Sequence, residues 1–240
     1  KGDIEFKQVS FHYRDDDVNV LENINFKIKV GERVAIIGRV GSGKSTIGKL
    51  LLKLYLPTEG TILLDGTDYK QINPDDLRQQ IGYVPQDVIL FYGSIRDNVC
   101  VGAPFIHDSA LLKASEIAGV TQFTDNHPKG FDRQVGEKGA ELSGGQRQSV
   151  AVARSLIMNP NILLLDEPTS AMDDNNERQI KKRLHDYLTE NHTLILITHK
   201  LSMLELVNRI IVLENGKIIA DGAKDAVLSA LKAGVTLRKP

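Results

Sequence analysis

The sequence predicts an α/β fold: a largely parallel sheet with helices on both faces, an antiparallel β edge and an inserted α-helical lobe. Three features predict it. Short aliphatic runs at 33–38, 161–166 and 193–198 alternate with stretches that carry apolar residues at helical spacing, the pattern of strands joined by crossover helices. Strand-like alternation at the start of the chain and a hairpin pattern near its end supply the antiparallel edge. Between 74 and 157 the pattern is mostly helical, long enough for a lobe of its own.

In chain order, Ile4, Phe6, Val9 and Phe11, then Ile24, Phe26 and Ile28, alternate as strands, with the polar tract Arg14-Asp15-Asp16-Asp17 between them as a hairpin loop. The run at 33–38 is a buried strand entering a glycine loop. A helix then carries Ile47, Leu50, Leu51 and Leu54 and is stopped by Pro57 and Gly60. A strand at 61–64 closes on an Asp65-Gly66 turn. In the helical region Ala110, Leu111, Ala114, Ile117 and Ala118 share a face. After the strand at 161–166 a helix presents Ile180, Leu184 and Leu188; the strand at 193–198 follows, and 209–213 pairs with 217–220 around Asn215-Gly216.

The 240 residues suffice for one large domain with an inserted lobe. Apolar residues at 41% and charged residues at 25% are ordinary for a globular protein, and a net charge of −1 gives no basic stripe for nucleic acid. The single Cys100 excludes an internal disulfide. No apolar run reaches the roughly 18 residues that span a bilayer. The opening KGDIEF, without Met, is what a domain excised from a longer protein would show, with anything membrane-spanning outside it.

Gly38-Arg39-Val40-Gly41-Ser42-Gly43-Lys44-Ser45, followed by Thr46, satisfies G-x-x-x-x-G-K-[ST] with a strand before it and a helix after it. Glycines let the backbone wrap phosphate oxygens with its N–H groups, and the helix N-terminus adds positive potential. Lys44 is expected on the β- and γ-phosphates, and the Ser45 hydroxyl on Mg²⁺. This makes the predicted core a P-loop NTPase. The run Ile162-Leu163-Leu164-Leu165 ends in Asp166-Glu167. Such acids could simply sit at an exposed strand end, but parallel sheets bind ligands beyond the carboxyl ends of their strands. Asp166 then suits Mg²⁺, directly or through water, and Glu167 the polarisation of an attacking water.

About a hundred residues after the phosphate loop comes Leu142-Ser143-Gly144-Gly145-Gln146. It should open a helix through 147–156, so its N–H groups and the Ser143 hydroxyl form an anion site. With GRVGSGKST, LSGGQ and LLLDE in this order and spacing, the whole chain resembles the ATPase domain of the ATP-binding-cassette (ABC) family. The resemblance implies that LSGGQ serves the ATP of a facing copy, in a two-fold, head-to-tail dimer glued by two ATP molecules. It further implies that Tyr13 stacks on adenine, that Gln86 senses Mg²⁺ and the attacking water, and that His199 contacts the γ-phosphate. Ser170-Ala171-Met172-Asp173 would cross the dimer interface, with Met172 where leucine is commoner. The core would comprise about 1–86 and 158–240, with 87–157 the helical signature lobe.

The segments LYLPTEG, NPDDLRQQIGYVPQD and ILFYGSIRDN look most like the ATPase domains of bacterial type I secretion transporters, although Gln134 stands where many exporters carry glutamate. That likeness implies protein or peptide cargo, with lipid or drug export as the alternative. It also implies a transmembrane domain on the same polypeptide, adaptor and outer-membrane partners, no nucleic acid, and a place on the cytoplasmic face of a bacterial inner membrane. A soluble ATPase acting on DNA or ribosomes would carry coiled-coil, zinc or second-cassette insertions that this sequence lacks. A hydrolysis-incompetent switch would not need Lys44, Gln86, Glu167 and His199 together.

Overall fold

The computed structural model describes residues 2–14, 18–103 and 105–233 of the chain. Of the predicted hairpin loop, Asp15, Asp16 and Asp17 lie outside the described residues. The strands are β1 (Ile4–Phe11), β2 (Leu21–Ile28), β3 (Arg33–Ile37), β4 (Glu59–Leu64), β5 (Thr67–Asp68), β6 (Ile81–Val84), β7 (Ile162–Asp166), β8 (Thr193–Ile197), β9 (Arg209–Glu214) and β10 (Lys217–Ala223). The α-helices are α1 (Lys44–Leu51), α2 (Pro74–Gln79), α3 (Ile95–Val99), α4 (Asp108–Ala118), α5 (Thr121–Thr124), α6 (Gly144–Leu156), α7 (Asp174–Tyr187) and α8 (Lys224–Lys232). They fall into two compact units, one from the described residues of 1–81, 161–166 and 190–240, the other from those of 82–160 and 167–189.

The first unit holds two sheets. One is antiparallel, in the order β2-β1-β4-β5, with Phe6 opposite both Phe26 and Ile62. The Phe6 and Phe26 rings stack with centroids 4.5 Å apart. In the other, the order β10-β9-β3-β8-β7 keeps β9, β3, β8 and β7 parallel and leaves β10 antiparallel beside β9. Strands β7 and β8 are buried at every position, as expected where both faces of a parallel sheet are covered. Each fully buried Leu or Ile there contributes about 1.5–3 kcal/mol relative to exposure. The β9–β10 turn has Asn215 and Gly216 at φ 46° and 73°, the primed geometry that Asn-Gly favours.

Helix α1 ends earlier than its apolar spacing predicts, and Leu54, expected on its buried face, lies beyond it and is exposed. The cause is a left-handed residue, Lys53 at φ 53°. The Leu54 N–H donates to Lys49 O and the Lys53 N–H to Leu50 O, the paired bonds of a Schellman stop. The Lys53 ammonium donates to Tyr69 O, Lys70 O and Ile72 O at 3.0, 2.9 and 2.8 Å, which holds a residue other than glycine in that conformation.

The second unit is helical, with β6 beginning at the division between the units. That strand lies inside the region predicted as mostly helical, because a four-residue apolar run carries no readable period. In α4 the buried face is Leu111, Ala114, Ser115 and Ala118; Ala110 and Ile117, expected there, are half-buried. Helix α4 packs on α6 and α7.

A buried polar node fixes the stretch before α3. The Asn98 amide accepts from the Phe91 N–H at 2.8 Å and donates to Phe91 O and Ser94 O. Arg154 of α6 donates Nε to Asn98 O at 2.7 Å and its other nitrogens to Asn98 Oδ1 and Ile89 O. Burial pulls the Arg154 guanidinium below its ordinary pKa. Arg154→Leu keeps an apolar stem but strands these carbonyls. It should lower the unfolding free energy by about 2–4 kcal/mol, read as a fall in the urea midpoint; an unchanged midpoint would show that the node is not holding this stretch.

Candidate functional site

The glycine loop leaves β3 at the carboxyl edge of the parallel sheet and ends at α1. Gly43 has φ 101°, and a Cβ there would lie 2.7 Å from Leu21 Cδ2 and 3.0 Å from Val20 O, so only glycine fits. The Gly216 N–H donates to Ser42 O, seating the β9–β10 turn on the loop. Lys44 curls back over it, its ammonium donating to Gly38 O and Arg39 O at 2.9 Å each. Ser42 is buried, and its Oγ has no hydrogen-bond partner among the described residues. Arg39, Val40 and Gly41 form the exposed tip, and Ser45 is half-buried in the first turn of α1.

Tyr13 is joined to this loop through Thr46, whose hydroxyl lies 3.0 Å from the phenol oxygen. Its ring meets Phe11 and Tyr55 edge-on, at centroid distances of 4.9 and 5.1 Å and angles of 82° and 90°. Lys49 Nζ is 3.5 Å from the Tyr13 hydroxyl and 5.4 Å from the ring centroid, which places it at the hydroxyl end of the ring. The Tyr13 ring is held perpendicular to both neighbours and remains 39% exposed, which leaves surface on which a base could stack.

Strand register brings the remaining groups of the first unit to the same edge. Ile36 pairs with Ile197, and Ile197 with Asp166, so β3, β8 and β7 end level with one another. The glycine loop, Thr198-His199 and Asp166 therefore emerge side by side along the sheet edge, with neighbouring strands about 4.8 Å apart. Asp166 is buried and His199 exposed.

Glu167, next in the chain, belongs to the second unit; it is buried and takes φ 50°. Gln86 also lies in the second unit, exposed just after β6. Ser143 caps α6 in a reciprocal box: its Oγ accepts from the Gln146 N–H at 3.2 Å, and Gln146 Oε1 accepts from the Ser143 N–H at 3.0 Å. Used as an acceptor there, the hydroxyl keeps its proton for a further partner. A Cβ on Gly144 would come 3.0 Å from Ala171 Cβ, so the start of α6 packs closely on the 170–173 loop and a side chain there would press that loop away. Ser143, Gly144, Gly145 and Gln146 line a groove of about 440 Å³ with Ala171 and Asp173.

Leu142 and Met172 are buried within the chain, while Ser170 is exposed. Asp173 caps α7, accepting from the Asn176 and Asn175 N–H groups at 2.9 and 3.0 Å; the Asn176 bond is the main cause holding its carboxyl below the usual range. The predicted residues thus gather in two sets: Tyr13, the glycine loop, Asp166 and His199 in one unit; Gln86, Glu167, LSGGQ and 170–173 in the other.

Sequence reasoning overlooked Gln148. It lies on the α6 face of Ala151, Val152 and Ser155, all buried, so a polar residue in an apolar helical stripe was the available signal. Tyr55, beyond the end of α1, carried no such signal.

Comparison with known proteins adds a family match, two relatives and a solved structure. A family model described as ABC transporter matches residues 21–170. The alpha-hemolysin translocation ATP-binding protein HlyB of Escherichia coli is 43% identical over 228 residues, covering 95% of this chain and 32% of that protein. The leukotoxin translocation ATP-binding protein LktB of Mannheimia haemolytica shows the same identity and coverage. The chain therefore spans about a third of the length of the curated relatives it matches. A solved structure of a bacterial Atm1-family ABC exporter with ATP bound superposes with a TM-score of 0.91 at 38% identity, covering 95% of this chain and 40% of that one.

Proposed function

Because the chain belongs to the ABC transporter family, we propose that it is the Mg²⁺-dependent, ATP-hydrolysing motor domain of a membrane exporter. The observation that carries the reading is the shared register of β3, β8 and β7, which lines up the glycine loop, His199 and Asp166 where a parallel sheet binds its ligand. The loop suits a triphosphate: Gly43 tolerates no side chain, Ser42 Oγ is a buried hydroxyl with no partner among the described residues, and Lys44 already points into the loop. Ser45 and Asp166 offer the hard oxygen donors that Mg²⁺ prefers, and the ion would neutralise phosphate charge there. Among the described residues no three His, Cys, Asp or Glu gather as a metal site. In this reading phosphate oxygens and water would complete the shell of such an ion.

In this reading Tyr13 stacks on adenine, Glu167 takes the proton of the attacking water, Gln86 orients that water, and His199 bonds the γ-phosphate. LSGGQ caps the ATP of a second copy, and 170–173 lines the dimer interface. The names of the relatives support protein secretion as the exporter's task, and their greater length leaves room for membrane helices on the same polypeptide. Among the described residues no helix is long and apolar enough to cross a membrane. The domain would work at the cytoplasmic face of a bacterial inner membrane, with adaptor and outer-membrane components as further partners.

Phosphate release by the purified chain tests the core of this reading. Turnover should require Mg²⁺, vanish in EDTA and fall to background in His199→Ala; a His199→Ala rate equal to the parent's would remove that residue from the mechanism. Tyr13→Ala should raise KM for ATP more than it lowers kcat, by about the 1–3 kcal/mol of one base–aromatic stack. An unchanged KM would dismiss stacking.

A further inference from the structure

The loop that carries Glu167 is not held by its own backbone alone. We propose that Gln148 is a positioning residue for hydrolysis, tying the signature helix α6 to the 167–171 loop and fixing the peptide that follows Glu167. The inference rests on the reading of Glu167 as the group that polarises water.

Gln148 is 3% exposed, and its amide is spent entirely on this loop. Nε2 donates to Ser170 Oγ at 2.6 Å and to Glu167 O at 3.3 Å, while Oε1 accepts from the Ala171 N–H at 2.8 Å. The Ser170 N–H donates to the same Glu167 carbonyl at 3.2 Å. Two donors on one carbonyl fix the peptide plane after Glu167 and, with it, the direction in which that residue's Cβ leaves the chain. The restraint has something to oppose. Glu167 sits at φ 50°, a left-handed conformation that a residue with a side chain keeps only when its surroundings hold it there. On the far side, Thr169 Oγ1 donates to Glu177 Oε2 of α7 at 3.1 Å, so the loop is anchored from two helices.

Gln148 stands five residues after Ser143, near the start of the helix whose first turn faces the groove. A displacement of that first turn would therefore reach the Glu167 carbonyl through the Gln148 amide, beside the packing of Gly144 on Ala171. In the dimeric reading, the half-site offered to the partner's ATP is linked in this way to the general base of the chain's own site.

The test is a double-mutant cycle on the purified chain, with ATP affinity and single-turnover hydrolysis measured in parallel. Gln148→Met has a similar length and no amide. It should lower the hydrolysis rate about 10–100-fold while ATP Kd stays within about threefold, the split expected when the base is misplaced and the binding loop is not. In a Glu167→Gln background the same change should cost less than about threefold more, because two residues acting through one group are not additive. An undiminished rate, a parallel loss of ATP affinity, or a full additional loss in the Glu167→Gln background would each overturn the proposal. If Gln148→Met does not fold, Gln148→Glu, which still accepts from the Ala171 N–H, carries the same comparison. Hydrolysis by Glu167→Gln at the parent rate would instead refute the underlying assignment of Glu167.

Discussion

Glu167→Gln should bind ATP with an affinity close to the parent's and lose turnover by about 10²–10⁴-fold, the range assigned to a positioned general base. The amide has nearly the size of the carboxylate, so the buried site and the φ 50° backbone have no steric reason to change. What is lost is proton acceptance from water. Since ATP is the proposed glue between two copies, the variant should also accumulate as a dimer with ATP and return to monomer without it. Light scattering at saturating ATP reads this directly. A variant that stays monomeric, or that hydrolyses normally, would contradict the assignment.

The second large effect concerns the division of the site between chains. Ser143→Arg fills the groove at the start of α6 and should silence both sites of a homodimer. Lys44→Ala removes the ammonium from the glycine loop and should do the same. Mixed in equal amounts, they form heterodimers with one intact composite site, so activity should recover to about a quarter of the parent value if pairing is random. Both substitutions acting on a site wholly within one chain would give no recovery, and that outcome would exclude the shared arrangement.

The local motifs were readable because their residues are contiguous. Gly38 to Thr46 announces itself as a unit, and LSGGQ was read as a helix start, which the capping box of Ser143 and Gln146 bears out. Asp166-Glu167 was legible from the aliphatic run before it, and the Asn215-Gly216 turn from its residue types. Less legible were properties that depend on pairing. That β3 lies between β8 and β9 follows from register across more than 150 residues, which no local period encodes. Leu54 was misassigned because its spacing is helical, while the stop is set by Lys53 reaching three carbonyls from 69–72. Gln148 was missed because its partners lie about 20 residues downstream, in a loop whose shape the sequence does not reveal.

The position of β3 carries a consequence for how the chain comes into being. The glycine loop is written within the first 50 residues, yet the strands on either side of β3 are β8 and β9, and the turn that donates to Ser42 O is at 216. A ribosome therefore releases the loop long before it releases the strands that shape it, and pairings so distant in sequence form slowly. Nascent chains ending before β9 should expose the edge of β3 and bind no nucleotide. The ability to hold ATP should appear abruptly once the final hairpin emerges, making the last strands of the domain the checkpoint for its first motif.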